Sequence, residues 1–251
     1  MLDQTWEIEQ STTLVNVDVE CGSEIKENCI NIALRVDVVI KDTYIHGNKE
    51  ARCINLEPEA SLHLSNTGLY SCGGEGIREG GGIFARKGNR IQINCAVFKN
   101  SMAIDNGGAI SVSTSKTFNV SDANFMYNNA GFAGALHAVF LLSSLNIVNS
   151  IFMFNTANDA GGIYISHSDA TISGSHIQNN EATGAGGGVM IKYSNLYVND
   201  TEITGNTASI GGAQVDCAGT NYNPSNITID TSSYNNGQGY YVQGECPVTT
   251  F

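Results

Sequence analysis

Asp105 and Asp159 each stand shortly before a Gly-Gly or Ala-Gly-Gly step. Two carboxylates brought to one edge of a fold can ligate Ca²⁺ or act as acid and base on a sugar. They are the candidate Ca²⁺ ligands, and the plainer role expected of both is a solvated turn residue. Asp42, Asp122 and Asp200 also share one position of a repeat, but Asn66, Cys95, Asn149 and Gly174 hold that position elsewhere. Turn capping explains such a set better than an acidic column. His167-Ser168-Asp169 contains the residue types of a hydrolytic triad. Neighbours on a strand point to opposite faces, and triads are assembled in space, so no triad is expected there. The five histidines, His46, His63, His137, His167 and His176, fall at different phases of the repeat and are not expected to converge. Arg86-Lys87-Gly88-Asn89-Arg90 is the one basic patch, read as a solvated turn. No cofactor is expected.

Cysteine chemistry is more prominent. Cys21, Cys29, Cys53, Cys72, Cys95, Cys217 and Cys246 form no Cys-x-x-Cys pair, which argues against zinc. Cys217 with Cys246 is expected to close the C-terminal end, and Cys21, Cys29 and Cys53 to staple the N-terminal end. Cys72 with Cys95 is expected to bridge adjacent coils, with one cysteine over, as a buried thiol or an intermolecular link. Sequons occur at Asn119-Val-Ser, Asn199-Asp-Thr and Asn226-Ile-Thr. Asn119 and Asn199 alternate with inward residues and are expected to face out as glycan sites. Disulfides, sequons and few charges together favour an extracellular or cell-surface protein.

Charge excludes several partners. Residues 1–100 hold 14 acidic and 10 basic residues, whereas residues 101–251 hold 10 acidic and 2 basic, for a net charge of −12. Such a chain offers no footprint for nucleic acid or an anionic membrane. The longest apolar run, Leu136 to Val148, is interrupted by polar residues and too short to span a bilayer, so no membrane insertion is expected. Met1-Leu-Asp-Gln-Thr-Trp lacks the features of a signal peptide, so the segment is read as a mature or excised piece of a longer protein.

All of these residues sit on an internal repeat. It reads apolar-x-apolar-x-(Asp/Asn)-(Ser/Thr)-x-apolar-x-x-Asn, as in Val38, Ile40, Asp42, Thr43, Ile45 and Asn48. The second apolar position recurs at 40, 64, 93, 120, 147, 172, 198 and 229, spacings of 24 to 31. Each unit alternates with period two and shows no helical periodicity. Units this short cannot make a propeller blade, which needs about 40 residues. The expected fold is all-β: a single right-handed parallel β-helix of about eight coils with an N-terminal cap. Residues 1–35 are assigned to the cap and residues 36–251 to repeats of about 26 residues, with the last coil and its closure at 217–251. Asn48, Asn128, Asn155, Asn180 and Asn206 are expected to form a turn ladder, each tolerating left-handed backbone and bonding from coil to coil. Cys72 takes the Asn place in its unit, and Asn100 falls one residue early. The Gly pairs supply either a positive φ or a close approach of coils. Closure of the last coil by Tyr240, Tyr241 and Val242 would make a monomer; an open edge would allow axial stacking.

Gly107-Gly-Ala-Ile110 alternating with Phe125-x-x-Asn128 and Phe152-x-x-Asn155 resembles the repeat of the polymorphic outer membrane proteins, the chlamydial-type surface adhesins, over roughly residues 80–215. The resemblance implies a right-handed parallel β-helix on a cell surface with an adhesive role; the C-terminal barrel of an autotransporter is absent from this chain. Two functions follow from the whole reading. The first is a structural or adhesive module, as a segment of a larger surface protein or a filament subunit, with other surface proteins, glycans or its own copies as partners. The alternative is a carbohydrate-active β-helix enzyme, which usually needs a groove walled by long insertions.

Overall fold

Strand pairing runs in one sense throughout: each strand is hydrogen-bonded in parallel to the equivalent strand one coil away. The computed structural model describes residues 1–218, 225–230, 242–244 and 246–250, and they build an all-β parallel solenoid of about eight turns with no helix among them. Ten strands, from Trp6–Ile8 to Val242–Gly244, stack into the first sheet. A second sheet of fifteen strands takes up the next side of every coil, and a third of four strands (Asn129–Phe132, Thr156–Asp159, Glu181–Ala182, Thr207–Ala208) covers the last side of the central coils.

The repeat positions read from the sequence are the observed register. Ile40 pairs with Leu64, Leu64 with Ile93, Ile93 with Val120 and Val120 with Ile147. Ile147 then pairs with Ile172, Ile172 with Val198 and Val198 with Ile229. Alternation turns these side chains inward, and coil-to-coil pairing stacks them into columns. One column runs Val19, Ile45, Leu69, Phe98, Phe125, Phe152, Ile177, Ile203, every member buried. Its three phenylalanines stack face to face at 4.8 and 4.5 Å.

The first layer differs from the expected cap. Within residues 1–35, Trp6–Ile8, Thr12–Val15 and Asp18–Glu20 pair in parallel with the following coil. That segment therefore holds a coil of its own, with Leu14 aligned to Ile40, and the apolar column below is covered by a layer of the same kind. Strand alternation in Leu14 to Val19 was the visible sign of it. The closure expected from Tyr240 and Tyr241 falls outside the described residues, and Val242 lies in the last strand of the first sheet.

Left-handed backbone is confined to the corners, and it corrects the expectation for the asparagines. The residue before each ladder position has positive φ (Ser71, Asn100, Tyr127, Phe154 and Asn179), while Asn128, Asn155, Asn180 and Asn206 do not. The asparagine turns its side chain inward for the ladder, so the sharp backbone step falls one residue earlier. The other bend does use Asp and Asn in this conformation: Asn16, Asp42, Asn66, Cys95, Asp122, Asn149, Gly174 and Asp200 all have φ between 44° and 57°. The two jobs proposed for glycine also separate. Gly107 takes the positive φ, in line with Gly80, Ala133, Ala160 and Gly186. Gly108 meets the other demand, since a Cβ there would lie 2.3 Å from the carbonyl oxygen of Gly134 in the next coil.

Candidate functional site

Polar side chains divide into those used by the scaffold and those left at the surface. The ladder takes the largest share of the first group. Asn128, Asn155 and Asn180 are fully buried. Each donates through Nδ2 to Oδ1 of the asparagine one coil on, at 2.9 Å, and also to a backbone carbonyl one coil back. Each Oδ1 of Asn155, Asn180 and Asn206 also accepts from the backbone N–H of the preceding rung, at 2.9–3.0 Å. Both amide hydrogens and both oxygen lone pairs are thereby satisfied, which is what a buried amide requires. Gln214 ends the row, its Oε1 accepting from Asn206 Nδ2 at 2.8 Å. Ser101 stands in the place that Asn100 misses, and its N–H donates to Asn128 Oδ1 at 2.9 Å. Asn48 is apart from this row, because Cys72 and Ser101 occupy the ladder place in the two coils between. It turns a local bend, accepting from the N–H groups of Glu50 and Ala51 and donating to Gly22 and Ile25.

Hydroxyls do the same at other bends. Ser150, Ser175 and Thr201 form one inward row, with Ser150 N–H donating to Ser175 Oγ and Ser175 N–H to Thr201 Oγ1. Ser168, Ser194 and Ser225 form another. The hydroxyl of the apparent triad thus belongs to the scaffold: Ser168 Oγ accepts from Leu141 N–H and donates to the Ser166 carbonyl. His167-Ser168-Asp169 lies at a corner, and His167 carries a positive φ.

The two candidate Ca²⁺ aspartates are on one edge but offset. Asp159 aligns with Phe132, whose predecessor aligns with Asp105, so the two differ by two coils and one residue. Asp105 is ion-paired to Arg78 at 2.6 Å, and Asp159 Oδ1 caps the N–H of Ala185 at 2.8 Å. Among the described residues, no three His, Cys, Asp or Glu side chains gather as ligands of one ion. The basic patch is a turn at Lys87 and Gly88, with Arg86 paired to Glu79 and Asn89 buried beneath it.

The cysteines pair as Cys21–Cys29, Cys53–Cys72 and Cys217–Cys246, leaving Cys95 free and exposed. The C-terminal pair is as expected, Cys21–Cys29 falls within the expected N-terminal staple, and Cys53 pairs instead with Cys72. A Cys72–Cys95 bridge is not formed, because Cys72 holds an inward ladder place while Cys95 holds the outward bend that Asn66 and Asp122 hold in neighbouring coils. The leftover thiol is consequently a surface group and not a buried one. Asn119 and Asn199 lie exposed on the outer face of the second sheet. Asn226 is half-buried and donates to Asn195 Oδ1 at 2.8 Å.

One polar row was not legible as a site. Phe84, Ser111, His137, Tyr164, Met190 and Asp216 align on the outer face of the first sheet. Ser111, His137 and Asp216 are nonetheless buried. Phe132 lies edge-on against Tyr164 at 5.2 Å, and Arg52 and Arg86 sit over the Phe84 ring at 4.7 and 5.0 Å. His137 stacks on Tyr164 at 5.3 Å, with Nδ1 3.4 Å from Ser111 Oγ. A hydroxyl beside an imidazole is a nucleophile–base pair in outline. Here burial and the positive charge of Arg86 push the His137 imidazole down to about 4, and among the described residues no carboxylate hydrogen-bonds to it. The pair is packing, with a consequence for pH. Folded His137 stays neutral down to about pH 4, while the unfolded chain takes up that proton near the ordinary 6.5. Its contribution to stability is unchanged above about pH 6.5, falls as pH drops toward 4, and levels off below; the full gap is about 3 kcal/mol. Urea unfolding at pH 7 and pH 4.5 should therefore show the wild type losing about 2–3 kcal/mol more than His137→Phe. Equal losses would show that the ring is not held neutral.

Comparison with protein families, curated proteins and solved structures finds no match.

Proposed function

We propose that the chain is an extracellular or cell-surface module of structural and adhesive role. The observation that carries the reading is the unbroken register from Ile40 to Ile229, with the corner asparagines, serines and threonines bonded to the scaffold. A catalyst needs polar groups held free toward a substrate and a groove to exclude water. Here the inward ladder asparagines and the rows of serine and threonine bond within the scaffold, and the register from Ile40 to Ile229 leaves no central coil with a long insertion to wall a groove. Rigidity is what such an arrangement provides, and a rigid body is suited to presenting a surface. Three disulfides suit an oxidising compartment. Sequons at the exposed Asn119 and Asn199 support the same location. The resemblance of Gly107–Ile110 and Phe125–Asn128 to surface-adhesin repeats supports the adhesive part.

Partners on this reading are surface glycans, other surface proteins or further copies stacked end to end. Beads coated with the purified chain should adhere to cell monolayers in a saturable manner and be displaced by soluble chain. Adhesion no better than with albumin-coated beads would contradict the adhesive role.

A further inference from the structure

Among the described corners between the first and second sheets in the central coils, one is longer than its counterparts. Between Val139 and Leu145 the chain spends five residues (140–144), where the next two coils use three (167–169) and two (193–194). The longer corner walls a cleft of about 540 Å³ whose other side is His167, Asp169, Tyr193 and Asn195. It is the local wall that the regular coils lack.

The lining has a definite chemistry. His167 stacks on Phe140 at 4.4 Å, and Tyr193 is tilted 52° from His167, so Tyr193 is not covered face to face by that ring. Asp169 Oδ1 accepts from both the N–H and Nδ2 of Asn195, at 3.2 and 2.8 Å, which orients the carboxylate and leaves Oδ2 as an acceptor. His167 Nδ1 is engaged by Ser166 Oγ at 2.9 Å, leaving Nε2 as the ring's other polar atom. Ser143 and Ser144 add two exposed hydroxyls. The three aromatic corner positions are costly for bulky residues: Phe140, His167 and Tyr193 have φ of 52°, 50° and 53°, where glycine or asparagine would be relaxed.

Aromatic faces complement the C–H face of a pyranose ring, while an oriented carboxylate and hydroxyls complement its equatorial O–H groups. Asp169 is the one carboxylate of the lining and repels an acidic sugar, and among the described residues no metal-ligating cluster stands there; Lys192 Nζ faces one side of the Tyr193 ring at 5.3 Å. We infer that the cleft under the 140–144 corner binds a neutral pyranose unit of a glycan. The inference deepens the adhesive reading by naming a ligand class, and it rests on that reading for its biological role.

The test uses the full chain and methyl glycosides of glucose, galactose, mannose and N-acetylglucosamine. Saturation-transfer NMR should show transfer from aromatic protons to ring C–H protons of at least one glycoside. Calorimetry with the matching oligosaccharide should show affinity lowered about tenfold by Tyr193→Ala and by Asp169→Ala. Phe84→Ala, an aromatic change outside the cleft, should leave affinity unchanged. Circular dichroism identical to wild type separates lost binding from lost fold. No transfer to any glycoside, stronger binding of methyl glucuronide, or affinity indifferent to both cleft variants would overturn the inference. Adhesion of coated beads without sugar binding would overturn it while leaving the adhesive reading standing; sugar binding without adhesion would do the reverse.

Discussion

Replacing Asn155 by alanine is expected to lower stability by at least about 3 kcal/mol. The substitution removes a side chain that accepts from the N–H and Nδ2 of Asn128 and donates to Asn180 Oδ1 and the Phe125 carbonyl. Asn128 and Phe125 lie in the interior, so water does not replace those partners, and each orphaned buried group costs about 1–3 kcal/mol. Thermal unfolding should shift down by roughly 6–12 °C for a chain of this size. Asn155→Asp retains shape and acceptors but loses both donors and introduces a buried charge, so it should be no better than alanine. Asn100→Ala is the contrast, since Asn100 is exposed and lies outside the ladder; its cost should be only that of a left-handed alanine, about 1 kcal/mol. Similar midpoints for Asn155→Ala and Asn100→Ala would show that the ladder does not hold the coils together.

Phe125→Ala should cost about 3–5 kcal/mol. Phe125 is fully buried between Phe98 and Phe152 at 4.8 and 4.5 Å, in the middle of the core column. Truncation leaves a cavity that fixed coils above and below cannot close, because the parallel ladders set their spacing. Phe125→Leu restores part of the volume and should recover more than half of the loss, as seen in denaturant midpoints. Asn155 bonds to the Phe125 backbone carbonyl, which alanine keeps, so the two alanine variants couple only as far as the backbone shifts into the cavity. Additive losses would place the core column and the corner ladder in separate units.

Residue pattern made the solenoid legible because its rule is one-dimensional. A residue at Ile40, Val120 or Ile172 faces in by alternation, and the coil length then sets which residue it stacks on. Even the slip at Asn100 could be read, and the structure puts Ser101 in its place. Three matters depend on three-dimensional placement and were not legible. The cap was read from a lack of repeat in residues 1–35, yet backbone pairing needs only alternation, so Leu14 joins the column without the full motif. The Cys72–Cys95 bridge was inferred from adjacency of coils, but inward and outward phases keep the two sulfurs on different sides of the backbone. Ser111 and His137 were 26 residues apart at the same phase, after Ile110 and Leu136, which was the available signal. Their burial accompanies aromatic contacts on the outer face, Tyr164 stacked on His137 and Phe132 edge-on to Tyr164, which no period can announce. The cleft at 140–144 was hidden for a related reason: two extra residues are conspicuous only once the neighbouring corners are lined up.

The most direct test of a structural and adhesive role is an assay for turnover. A panel of neutral and acidic polysaccharides incubated with the purified chain should show no new reducing ends and no unsaturated products, even where binding is measurable. Depolymerisation that is lost on Asp105→Ala or Asp159→Ala, in variants that keep the wild-type circular dichroism, would contradict that role and make the chain a carbohydrate-active enzyme.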